Sequence, residues 1–142
     1  NPSLTIRKPD RPVSPLKEQP WRIILTHDAS SIPANSICLT DEFRDRTLVV
    51  ENVSNYLELL KKLYNDKKIG TILLEAGGCL VREFLKAGLV DEWVGFYAPI
   101  IIGGGADGVA PGPFLEHEAH LEQPVVNIFG DDVCIRGDIC YR

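Results

Sequence analysis

Glu75-Ala76-Gly77-Gly78-Cys79 is the stretch of this sequence best suited to chemistry. Ahead of it, residues 71–74 form a β-branched and apolar run that reads as a buried strand. Behind it, Leu80, Val81, Phe84 and Leu85 fall at helical spacing, and Gly88 stands where a helix C-cap glycine belongs. A strand feeding a glycine turn into a helix N-terminus presents backbone N–H groups that favour an anion such as a phosphate. Glu75 sits at the mouth of that turn with a carboxylate. Two glycines before a helix also serve as a plain tight connection, and the stretch is neither a G-x-G-x-x-G nor a P-loop. Taken by themselves, these residues leave both readings open.

Other reactive side chains are scattered. His27 follows an apolar run, 21–26, at what would be the C-terminal end of a strand, the ligand edge of an open α/β sheet. Alone it is more often a structural turn residue than a catalyst. Arg7 lies in a Pro-rich lead and on these residues alone reads as an ordinary surface charge. Glu116-His117-Glu118-Ala119-His120-Leu121-Glu122 invites a metal reading, but the two histidines are three apart rather than four and adjoin a Pro/Gly loop. We read that stretch as a solvated charged loop and expect no metal site. Cys38, Cys79, Cys134 and Cys140 form no C-x-x-C pair and read as reduced, buried thiols of a cytoplasmic protein.

The elements that must position these residues follow from pattern. Residues 1–20 read as an extended connection punctuated by prolines, with a strand-like patch at Leu4-Thr5-Ile6-Arg7. Residues 21–26 and 47–51 read as strands, 32–41 as irregular. Ser54 is a candidate N-cap for a helix over 55–68 ended by Gly70. Strands follow at 93–98, 125–129 and 133–141, the last two joined by Gly130-Asp131-Asp132. Early βα alternation builds a parallel sheet and the closing hairpin adds antiparallel strands. The expected fold is therefore α/β, a mixed and largely parallel sheet with flanking helices, in one domain spanning 1–142. A net charge of −5 argues against nucleic-acid or membrane-surface partners, and no apolar run is long enough to span a bilayer.

Several separated motifs, in order, resemble one family. They are Asn1-Pro2-Ser3-Leu4-Thr5-Ile6-Arg7, then Glu75-Ala76-Gly77-Gly78, then Phe84-Leu85-Lys86-Ala87-Gly88-Leu89-Val90-Asp91-Glu92, then Ala98-Pro99-Ile100-Ile101-Ile102-Gly103-Gly104. The chain resembles the reductase domain of bifunctional riboflavin-biosynthesis deaminase/reductases, of dihydrofolate-reductase-like fold. The resemblance implies NADPH-dependent reduction of the ribosyl group of a phosphoribosylamino pyrimidinedione to a ribityl chain. It implies a substrate site containing Leu4, Arg7 and Glu75, and cofactor contacts from His27, Gly77, Gly78, Cys79, Leu80, Val81, Arg82 and Glu83. A guanidinium at position 7 suits the substrate's phosphate, which reconciles an acidic chain with an anionic ligand. No acid or base for the chemistry itself stands out, so the proton donor is unassigned.

Two departures from the family pattern are visible. Gly78 and Cys79 stand where Pro-Thr is usual, removing a hydroxyl that would donate to a phosphate. His27 stands where a small hydroxyl residue is common. The family also places a strand, a helix and a second strand before the Asn-Pro-Ser-Leu segment. The chain is thus expected to be a C-terminal part of the domain, with little activity alone, pairing with another copy in a homodimeric parent. Two rivals remain: a non-catalytic nucleotide-binding module of the same fold, and a reductase of that fold acting on another substrate.

Overall fold

The computed structural model describes residues 2–6, 19–101, 108–113 and 115–142. The chain forms two compact units, Asn1–Gly70 and Thr71–Arg142. Among the described residues no helix is long and apolar enough to cross a membrane.

In the first unit, β1 (Arg22–Thr26) and β2 (Thr47–Glu51) pair in parallel, Arg22 opposite Thr47 and Thr26 opposite Glu51. Parallel neighbours need a long crossover. Here it consists of short 3₁₀ turns at Ala29–Ser31 and Arg44–Arg46 around a one-turn helix, α1 (Ile37–Thr40), which buries Cys38. That turn lies within the stretch expected to be irregular. In β1, whose apolar run suggested a central strand, Ile23, Ile24 and Leu25 are only half-buried, and the buried residue is Arg22.

Helix α2 (Tyr56–Lys67) has its N-cap at Asn55, one residue after the expected Ser54. The Asn55 Oδ1 accepts from the Glu58 N–H at 3.1 Å, the three-residue reach that a cap requires. The helix ends at Lys68 in the left-handed region, φ +57°, with its N–H donating to the Tyr64 carbonyl, before Gly70 is reached.

In the second unit the strand expected over 71–74 is absent: residues 71–77 belong to no strand or helix. A strand is defined by the backbone of a neighbour, and no described residue hydrogen-bonds to the backbone of 71–74. Ile72 and Leu73 are consequently exposed, Leu73 at 79%, and Leu74 is half-buried. Helix α3 (Gly78–Lys86) forms as its spacing predicts and buries Phe84 and Leu85. It closes on Gly88 at φ +65°, where the Gly88 N–H donates to the Leu85 carbonyl and the Leu89 N–H to the Phe84 carbonyl, each at 3.0 Å. That pair of bonds is a Schellman cap.

Strands β3 (Glu92–Tyr97), β4 (Ala119–Phe129) and β5 (Asp132–Tyr141) form an antiparallel sheet ordered β3-β5-β4. Gly130, at φ +63°, leads the two-residue hairpin turn between β4 and β5. β4 starts earlier than expected. His120 pairs with Cys140 and Leu121 with Ile139, so the end of the stretch read as a solvated loop is strand. A register shift between Glu122 and Val125 holds Gln123 at φ +44° and Pro124, which has no N–H to donate to a ladder.

The mixed α/β class therefore holds, whereas the sheet is not largely parallel among the described residues. One pair of strands is parallel and two are antiparallel. The difference has two sources. Among the described residues the β-branched run at 71–74 has no strand partner, and the hairpin is longer than its apolar pattern shows.

Candidate functional site

The first unit carries the N-terminal motif. Leu4 is half-buried, at φ +49°. Arg7 lies outside the described residues. The segment 2–6 is tied down on both sides of Leu4. Before it, the Ser3 carbonyl accepts from an Arg22 guanidinium nitrogen at 3.0 Å and the Pro2 carbonyl from the Cys38 thiol at 3.1 Å. After it, the Ile6 N–H donates to the Gln19 Oε1 at 2.8 Å and the Gln19 Nε2 donates back to the Ile6 carbonyl at 3.4 Å.

Arg22 is the hub of this arrangement. Its Nε donates to the Thr47 Oγ1 at 3.0 Å, and its two terminal nitrogens take Asp41 bidentately at 2.7 and 2.8 Å. The Cys38 carbonyl accepts a further bond at 2.9 Å. The hydrogen-bonded guanidinium beside Asp41 holds that carboxyl below the usual carboxylate range against the opposing effect of desolvation. Sequence reading missed this hub. The available signal was an arginine opening an otherwise apolar strand, since a charge in such a place must be paired if it is buried.

His27 is exposed and follows β1 directly, at the C-terminal ends of both parallel strands. Beside it, the Asp28 carboxylate accepts from the Ser30 Oγ and N–H, each at 2.8 Å, which keeps it below the ordinary carboxylate range. The Glu51 Oε1 accepts from the Ala29 N–H at 2.6 Å. The loop after His27 is therefore fixed by side chains from both strand ends.

The second unit carries the glycine turn. Glu75 is exposed. Gly77 is the N-cap of α3 at φ −65°, ψ 157°, ordinary extended backbone, and a Cβ there would meet nothing within 4 Å. Gly78 differs: a Cβ would lie 2.5 Å from the Pro111 Cδ, 2.8 Å from the Gly108 carbonyl oxygen and 2.9 Å from that of Val109. Nothing among the described residues demands glycine at 77, whereas a loop backbone demands it at 78.

The N–H groups of Leu80 and Val81 are committed to the Gly77 carbonyl, at 3.1 and 3.3 Å. Those of Gly78 and Cys79 take no partner among the described residues, which leaves two donors at the positive end of the helix. Cys79 is exposed and Cys140 half-buried, in contrast to the buried thiols expected of all four; on α3, Cys79 lies off the helix face that buries Phe84 and Leu85. All four cysteines are free thiols.

Arg82 reaches the loop rather than the turn. Its guanidinium donates to the Pro113 carbonyl at 3.1 Å and to the Glu83 carboxylate at 3.1 Å. It also covers Gly112, where a Cβ would meet the Arg82 Nε at 2.9 Å and where φ is +124°. Leu80, Val81 and Arg82 are half-buried. Of the candidate residues, the run from Glu75 to Glu83 thus forms one continuous turn and helix start in the second unit, while Leu4 and His27 belong to the first.

The family model described as RibD C-terminal domain matches residues 1–135. The chain is 35% identical over 95 residues to the riboflavin biosynthesis protein RibD of Escherichia coli (strain K12), covering 63% of this chain and 26% of that protein. It is 33% identical over 104 residues to the riboflavin biosynthesis protein RibD of Mycobacterium tuberculosis (strain ATCC 25618 / H37Rv), covering 73% and 28%. Among solved structures, Acinetobacter baumannii RibD, form 2, superposes with a TM-score of 0.77 at 23% identity, over 97% of this chain and 43% of that one. The chain thus spans under a third of the curated relatives it matches. With the leading motif and the glycine turn both inside the matched residues, the chain belongs to the RibD C-terminal domain family.

Proposed function

We propose that this chain is part of an NADPH-dependent reductase domain of dihydrofolate-reductase-like arrangement, Asn1–Gly70 and Thr71–Arg142 being two parts of one domain. Its reaction is reduction of the ribosyl group of 5-amino-6-(5-phosphoribosylamino)uracil to a ribityl chain in riboflavin biosynthesis. The observation that carries this reading is a family match over 1–135 that includes a helix start with two N–H donors that take no partner among the described residues.

The residues fit a nicotinamide dinucleotide. An open Gly77 beside the Gly78 and Cys79 N–H groups suits close approach of a phosphate. When bound, the cofactor supplies the hydride. The chain's own residues bind and orient. Leu80 and Val81 extend the first turn of α3, and Arg82 with Glu83 fastens the loop packed on Gly78. His27 adds a cofactor contact after β1. Glu75 accepts from the pyrimidine N–H groups, Leu4 gives an apolar contact, and Arg7 grips the phosphate.

The exposed apolar residues Phe96, Val126, Ile128 and Phe129 support a homodimeric parent in which a second copy covers them. The free thiols support a cytoplasmic location.

The test is NADPH oxidation by the full-length protein, driven by the phosphorylated pyrimidine. Oxidation is expected, with Arg7→Ala raising KM roughly ten- to a hundredfold, the size of a lost charge-assisted contact. Absence of substrate-dependent oxidation ends the reductase reading. Oxidation insensitive to Arg7→Ala points instead to an unphosphorylated substrate.

A further inference from the structure

We propose that Arg22 is a positioning residue for the substrate site: with Gln19 it fixes the backbone of residues 2–6 so that Leu4 is held ready for the pyrimidine. This rests on the substrate role proposed above for Leu4.

Three observations converge on it. First, Arg22 is 3% exposed and all five of its N–H donors are used, on Thr47, Ser3, Cys38 and both oxygens of Asp41. A buried ion pair adds little stability over a well-packed apolar side chain of the same volume. What a guanidinium adds is direction, because a rigid planar fork sets the place of every acceptor it meets. Two of those acceptors are backbone carbonyls, and one belongs to the residue immediately before Leu4.

Second, the segment is held at its other end by an independent device. Gln19, also 3% exposed, makes a two-way amide bond to the N–H and carbonyl of Ile6. Cys38 adds its thiol to the Pro2 carbonyl from α1, the helix whose own Cys38 carbonyl is bonded by Arg22. Third, Leu4 sits at φ +49°, which a leucine in a free chain rarely adopts. Such a conformation persists only where its surroundings over-determine it. The clamps at Ser3 and Ile6 are those surroundings, and the resulting turn sets the direction of the Leu4 side chain.

Two variants of the full-length protein test this. Arg22→Lys keeps the charge and loses the fork. Gln19→Ala leaves the Arg22–Asp41 pair intact and carries the test should Arg22→Lys not fold. In both, amide exchange over residues 2–6 should speed up roughly tenfold, and the KM for the phosphorylated pyrimidine should rise roughly tenfold. The KM for NADPH should stay within about twofold, a split that general loosening of the fold would not produce. Unchanged exchange in a folded variant overturns the anchor. Faster exchange with an unchanged pyrimidine KM overturns positioning. Leu4→Ala then separates the two ideas: if it too leaves that KM unchanged, the substrate reading of Leu4 has failed, and if it raises KM, only the positioning role of Arg22 and Gln19 has.

Discussion

The two units secure their candidate residues by opposite means. In the first, a buried charged side chain holds a backbone segment through directional hydrogen bonds, with Arg22 and Gln19 both 3% exposed. In the second, no buried polar side chain among the described residues organises the turn. A loop backbone leans on Gly78, and Arg82 fastens that loop through the Pro113 carbonyl. The contrast shows two sources of precision. Directional bonds locate a segment whose own conformation is unfavourable, as at Leu4. Close approach across a glycine locates a segment whose conformation is ordinary, as at Gly77 and Gly78. The first is vulnerable to loss of one charge, the second to gain of one methyl group.

Removing Asp41 breaks the comparison most severely. Asp41→Ala strips the bidentate partner from an arginine side chain 2% exposed and should cost about 3–5 kcal/mol in urea unfolding. The same pair sets a pH dependence. Because the folded Asp41 carboxyl is held below its unfolded value, its contribution is complete above the unfolded carboxylate value of about 4. It is lost as pH falls below that value through the folded one. Stability measured against pH should therefore drop on the acid side more steeply for the parent chain than for Asp41→Asn.

The second unit is sharpened by a paired substitution. Gly78→Ala places a methyl group against two carbonyl oxygens and a proline ring, none of them a flexible side-chain end, and should cost about 1–3 kcal/mol. Gly77→Ala meets open space and should cost at most about 1 kcal/mol. In the full-length protein Gly77→Ala should nevertheless weaken NADPH more than it weakens the fold. Equal thermal shifts for the two variants, with and without NADPH, would remove the distinction between a loop-packed and a ligand-facing glycine.

The smallest effect lies at the end of α2. Lys68 occupies the left-handed region at φ +57°, where glycine is the unstrained residue. Lys68→Gly should raise the unfolding midpoint by an amount equivalent to about 0.5–1 kcal/mol, without touching either candidate region. A loss of stability there would mean that the Lys68 contact with the Tyr64 ring outweighs the backbone strain.

Local pattern alone determined a good deal of this protein. Helices α2 and α3, the Gly88 cap and the β4–β5 hairpin turn could be read because each depends on residues within one or two turns of one another. The glycine turn and its helix start were readable for the same reason. What only the tertiary structure decided involves partners distant in the chain. Residues 71–74 carry a strand's composition, yet a strand needs a neighbour's backbone, and no described residue provides one. Arg22 reads as an ordinary strand residue until Ser3, Cys38 and Asp41 are brought to its guanidinium. Gly77 and Gly78 are indistinguishable as letters. They differ because Pro111 and the carbonyls of Gly108 and Val109 come to rest against one and not the other. Short-range geometry is written in neighbouring residues, whereas steric and polar partnership exists only once the chain has folded.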